Sequence, residues 1–146
     1  FDPVDFEVFL KLLPKQVDGR AIRHAVEVRH DSFNTPDFVE MLRHYEVAVI
    51  TSGDSAFPQI ADITAPFVYA RIMGTMEDQS LGYAPAELDR WIARARQWAS
   101  GIVPSDLTYA GTAQPKPVPR DVFLYVISGF KEKNPAAAMA LIARMR

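Results

Sequence analysis

A chain of 146 residues falls within the usual size of one domain and is long enough to bury a real core. With 49% hydrophobic and 23% charged residues it is not a disordered chain, and a formal net charge of −2 leaves no global positive field toward nucleic acid or anionic membrane. The absence of cysteine removes disulfides, thiolate catalysis and thiolate-bound metal, and fits a cytoplasmic protein.

The chain opens at Phe1-Asp2-Pro3, without an initiator Met, directly into a helical pattern, as expected of a piece of a longer protein. No basic-then-apolar leader and no apolar run near the roughly 18 residues of a bilayer span are visible. Asp2 supplies a carboxylate cap and Pro3 a residue whose missing N–H costs nothing in the first turn. Phe6, Phe9, Leu10 and Leu13 then recur at helical spacing until Pro14. Asp18-Gly19 reads as a turn, and residues 25–29 as a short strand. Thr35 caps a predicted helix over 36–45 with Phe38, Val39 and Leu42 on its apolar face. The run over 47–51 is continuously apolar up to Thr51, the pattern of a strand covered on both faces, and 52–55 is a loop.

After an irregular stretch through Pro58 and Pro66, residues 67–72 form a third strand closed by Gly74. Residues 75–83 are a polar loop. The clearest helix covers 84–99, with Pro85 in its first turn and Leu88, Trp91, Ile92 and Ala95 on one face. Residues 100–120, with Pro115, Pro117 and Pro119, form an extended connection unusually long for a compact domain. Asp121 opens a fourth strand over 122–127, and an Ala-rich helix begins near 135. Strands and helices alternate with no Asn-Gly or Asp-Gly hairpin joining the strands, which implies a parallel sheet. A doubly wound sheet and a barrel both satisfy that order; the absence of Gly-rich phosphate fingerprints disfavours the first.

Four segments carry more than periodicity. His24-Ala-Val-Glu27-Val-Arg29-His30-Asp-Ser-Phe33 and Thr64-x-x-Phe67-Val-Tyr69-Ala-Arg71-Ile-Met73-Gly74 are two of them. Tyr83-x-x-x-x-Leu88-x-x-Trp91 and Asp121-Val-Phe-Leu-Tyr125 are the others. In this order they resemble the YecE-like family, domain of unknown function 72, over almost the whole chain. The resemblance implies a (β/α)8 barrel of roughly 250 residues, of which this α/β chain supplies the C-terminal half: one helix and the last four strands. It implies no established activity; hydrolysis or isomerisation follows only by analogy with sugar isomerase and apurinic endonuclease barrels. The sequence departs from the family at Met73, where a His is usual, and at Ile127-Ser128-Gly129, where Phe-x-Asn is usual. The aspartate usual at the end of the second strand corresponds to Asp54 or is displaced by Gly53.

Strand alternation locates the candidate chemistry. Val26 and Val28 suit the helix-facing side, which turns Glu27 and Arg29 inward; Val68, Ala70 and Ile72 do the same for Tyr69 and Arg71. Buried charges must be paired or they destabilise the fold. Such a cluster is either an ion-pair network that fixes register and binds nothing, or an anion site at the C-terminal mouth of the strands. In the second reading Arg29 and Arg71, with Tyr69, clamp a phosphate, carboxylate or sugar oxygen, and Glu27 orients an arginine or acts as a general base. His30, where strand becomes loop, serves as acid/base or as a loop-capping residue. Asp54 completes the catalytic candidates. A metal held by Glu27, His30 and Asp54 is disfavoured by two neighbouring arginines, and no particular cofactor is indicated. Trp91 and Trp98 read as core; Lys116 and Arg120 as an exposed linker. Ser52 and Ser128 have no base beside them in sequence.

The expected function is therefore binding of an anionic or sugar-like small molecule through Arg29 and Arg71. The alternatives are a nucleic-acid-processing, endonuclease-like barrel and a non-catalytic binding or assembly module. Four strands of an open barrel leave two unpaired edges and an apolar inner surface, so either the missing N-terminal half or a second copy is expected to cover them.

Overall fold

Local signals in the sequence set the first elements. The Asp2 carboxylate accepts from the N–H groups of Val4 and Asp5, and Pro3 begins helix α1, Pro3–Leu12. The computed structural model describes residues 1–113 and 115–146. After α1, Asp18 and Gly19, both at positive φ, turn the chain between two short antiparallel strands, β1 (Gln16–Val17) and β2 (Arg20–Ala21). This hairpin corrects the expectation that no Asp-Gly turn joins strands; its strands are too short and too exposed to show a period-two pattern.

The main sheet has four parallel strands in chain order: β3 (Ala25–Val26), β4 (Ala48–Gly53), β5 (Phe67–Ile72) and β6 (Asp121–Val126). Helix α2 (Pro36–Tyr45), capped by Thr35, connects β3 to β4. Helix α3 (Pro85–Ser100) lies between β5 and β6, and α4 (Asn134–Met145) follows β6. Among the described residues the strand expected over 25–29 has ladder pairing only at Ala25 and Val26, where its register with β4 ends at Val49. Among the described residues β3 and β6 are edges, and the sheet is open.

Two apolar layers cover the outer face. Phe38, Val39 and Leu42 of α2 and Leu10 of α1 pack with Val28, Val47 and Val49. Leu88, Trp91, Ile92 and Trp98 of α3 and Ala137 and Leu141 of α4 pack with Val68, Ala70 and Ile72. A smaller cluster of Ala48, Ala65 and Phe67 lies on the opposite, inner face.

The connection from β4 to β5 has no helix, yet residues 60–65 are buried. Thr64 explains why this is tolerable: its hydroxyl accepts from the Val49 N–H at 2.8 Å and donates to the Val47 carbonyl at 2.7 Å, satisfying backbone that would otherwise be orphaned. Asp62, fully buried, accepts from the N–H groups of Ala110 (2.7 Å) and Gly111 (3.0 Å), pinning the long connection before β6 to the body of the protein. Arg120, expected in an exposed linker, bends back to donate to the carbonyls of Val118 and Lys116. No helix among the described residues is long and apolar enough to cross a membrane.

Candidate functional site

Glu27, on the extended chain just past β3, sits at the centre of the polar cluster on the inner face. Its Oε2 accepts from Arg71 Nη1 at 2.5 Å and from Arg29 Nη2 at 2.9 Å and Nε at 3.2 Å. Its Oε1 accepts from the Ser52 hydroxyl at 3.4 Å. β4 supplies Ser52 and β5 supplies Arg71, and the two are register partners. The cluster therefore joins the β3 segment, β4 and β5 at the C-terminal end of the sheet. Strand alternation had placed Glu27, Arg29 and Arg71 on one face, and their contacts agree with it.

Exposure grades across this cluster. The Glu27 side chain is 11% exposed, Arg71 27% and Arg29 60%. Burial pushes the Glu27 carboxyl up; the hydrogen bonds from Arg29 and the charge of Arg71 outweigh that and hold its pKa below the ordinary carboxylate value. Two guanidinium groups against one carboxylate leave the cluster with net positive charge. Arg71 commits one N–H group to Glu27 and Arg29 two, so both keep donors for a further acceptor. The Arg29 guanidinium also lies 4.7 Å from the centre of the Phe57 ring, which steadies its orientation.

Tyr69 lies on the same face but below the charges, in a stack of rings: 5.1 Å from Tyr125 and 6.3 Å from Phe123. It makes no ion-pair contact of its own. His30 is exposed and caps the short 3-10 turn Asp31–Phe33: its Nδ1 accepts from the Ser32 N–H at 3.2 Å and lies 2.9 Å from the Ser32 hydroxyl.

Asp54 is turned away from Glu27. It adopts a left-handed conformation at φ 53, and its Oδ2 accepts from the Trp91 indole N–H at 2.8 Å on the α3 side. Gly53 makes this possible, since any Cβ there would strike the Trp91 ring. Asp54 also borders Tyr83, whose hydroxyl accepts from the Gly74 N–H at 2.7 Å; burial, with the Asp54 charge adding to it, raises the Tyr83 pKa. The set Glu27, His30 and Asp54 does not assemble into a metal site, and no group of three such ligands gathers among the described residues.

Sequence reasoning missed three contributors. Ser52 was read without a partner, though the period-two pattern of β4 puts it on the Glu27 face. Tyr125, the register partner of Arg71, was visible in the same way from β6. Phe57 lies in a loop, where no periodicity points to it.

Comparison with known proteins bears on the whole chain. The model of the family described as "Protein of unknown function DUF72" matches residues 2–146. No curated protein sequence matches. The crystal structure of a DUF72 family protein, TM1631 from Thermotoga maritima, is similar at TM-score 0.62 and 17% identity, over 97% of this chain and 50% of that one. The chain thus spans about half the length of that solved relative and shares its fold over that half. From its sequence motifs and the match along its length, the chain belongs to the DUF72 family.

Proposed function

We propose that the chain is the C-terminal half of a TIM-type barrel, residues 1–146 being the C-terminal part of a single barrel domain. In this reading the mouth of its strands binds an anionic or sugar-like small molecule through Arg29 and Arg71. The observation that carries the reading is the imbalance at Glu27: one carboxylate, nearly buried, organises two guanidinium groups that retain free donors and face solvent. A closed ion-pair network would leave neither the excess charge nor the open side. Barrel sites are built at the C-terminal ends of strands, where this cluster lies. Support for the half-barrel comes from four parallel strands in sequential order and from a solved relative of twice the length.

Within this proposal Glu27 is a positioning residue. With its Oε2 already accepting three N–H bonds and its pKa lowered, it holds the arginines better than it would take up a proton. His30 and Asp54 are proposed only as groups bordering the mouth, and hydrolysis or isomerisation rests on fold analogy alone. The N-terminal half, or a second copy, covers the open edges, and a cytoplasmic location agrees with the cysteine-free composition.

The test is calorimetric titration with inorganic phosphate at low ionic strength. Wild type is expected to bind, and each of Arg71→Met and Arg29→Met to weaken binding at least tenfold, on the order of one charge-assisted hydrogen bond. Equal affinity in the double variant would sink the reading.

A further inference from the structure

Beside the arginine pair the inner face carries an aromatic shelf. Tyr69 and Tyr125 stack with 23° between their planes, and Phe123 continues the stack at 27° from Tyr69. These rings, with Ile50 and Phe67, line an open groove of about 570 Å³. Its two ends differ. At the N-terminal end of the strands the guanidinium of Arg23 lies 5.0 Å from the Phe67 ring and 4.9 Å from Phe123, and it pairs with Asp121 at 2.6 Å. That end is plugged by the chain's own cation. At the other end Tyr125 is 45% exposed and is the register partner of Arg71, so its ring rises from the same face on the neighbouring strand. An exposed ring and a guanidinium with spare donors stand side by side.

Resting on the anion-site reading above, we propose that the ligand is a planar aromatic ring bearing a phosphate or carboxylate group, with the ring on Tyr125 and the anion on Arg71 and Arg29. The chemistry of the walls selects this class over a sugar. A sugar ring brings several hydroxyls, each needing a partner when it leaves water. The carboxylate that would ordinarily accept them, Glu27, is already occupied by Arg71, Arg29 and Ser52. Apart from Arg23, already paired with Asp121, and the hydroxyls of Tyr69 and Tyr125, the walls are aliphatic and aromatic. A flat aromatic ring asks for nothing that they lack, and offset stacking on Tyr125 extends the order already set by Tyr69 and Phe123.

The experiment titrates the chain with methyl phosphate, phenyl phosphate and glucose 6-phosphate, three monoesters that offer the same dianion. Phenyl phosphate is expected to bind roughly three- to tenfold tighter than methyl phosphate, the range that one aromatic stack supplies. Tyr125→Leu should erase that preference, and Tyr125→Phe should keep it. Equal binding of the phenyl and methyl esters, with both lost in Arg71→Met, overturns the aromatic shelf and leaves the anion site standing. Binding of none of the three overturns the anion site itself and the shelf with it. Tightest binding by glucose 6-phosphate overturns the choice of a planar ring. Light scattering on the same samples gives the last outcome. Self-association lost in Tyr125→Leu, with no phenyl preference, shows that a second copy covers the ring and also overturns the shelf.

Discussion

The two faces of β5 make opposite use of one short segment. Val68, Ala70 and Ile72 are buried against α3 and α4, where Trp91 and Leu88 are wholly inaccessible. Tyr69 and Arg71, interleaved with them, stay partly open on the inner face, Tyr69 among rings and the Ala48, Ala65 and Phe67 cluster and Arg71 against Glu27. The outer face is a dry core in which shape decides; the inner face gathers rings and paired charges at the C-terminal end of the strands, and that is the physical basis for placing the site there.

That contrast predicts how substitutions separate. Trp91→Ala removes one of the two largest fully buried side chains and the donor to Asp54, and should cost about 3–5 kcal/mol in urea unfolding. Gly53→Ala drives a methyl group into the Trp91 ring and should cost about 1–3 kcal/mol, although Ala suits a strand better than Gly. An unchanged midpoint for either would mean that the outer face is not the close-packed layer described here.

On the inner face, Glu27→Gln removes the counter-charge of two guanidinium groups that water also reaches. We expect a loss of about 1–2 kcal/mol, smaller than the outer-face effects because exposure of the arginines screens the pair. Its pH dependence has a definite sign. The Glu27 pKa is lowered in the folded state from an ordinary value of 4.5, so its contribution is complete above about pH 5 and is lost as the pH falls through the folded value. The difference in Tm between wild type and Glu27→Gln should therefore shrink on acidification; a difference that grows instead would refute the pairing. Arg71→Met should be the mildest, within about 1 kcal/mol, because Glu27 keeps its bonds from Arg29 and the methionine stem replaces the aliphatic one. Lost phosphate binding with stability nearly intact is the signature that separates a site from a structural network.

Much of this was legible in the sequence because it is local. Alternation along β5 and at Val26-Glu27-Val28 assigns each side chain a face without knowledge of the partner strand, and the helical spacing of Leu88, Trp91, Ile92 and Ala95 marks the buried side of α3. Cap residues Asp2 and Thr35 mark helix starts by chemistry confined to one turn. The order of elements and the meeting of Glu27 with Arg71 follow from such signals once the strands are parallel.

Other features depend on residues far apart in the chain, and only the tertiary structure decided them. The length of β3 is set by its register with β4, so 25–29 yields two paired residues. The direction of Asp54 is set by a left-handed turn beside a glycine that makes room for Trp91, 38 positions further along the sequence from Gly53, and no local pattern announces it. The ring shelf needs Tyr69 and Tyr125 brought into adjacent strands across α3 and the long connection that Asp62 pins. Periodicity tells a residue which way it points; which neighbour it then meets is a matter of chain crossing, register and loop geometry, and these are fixed by packing across the whole molecule.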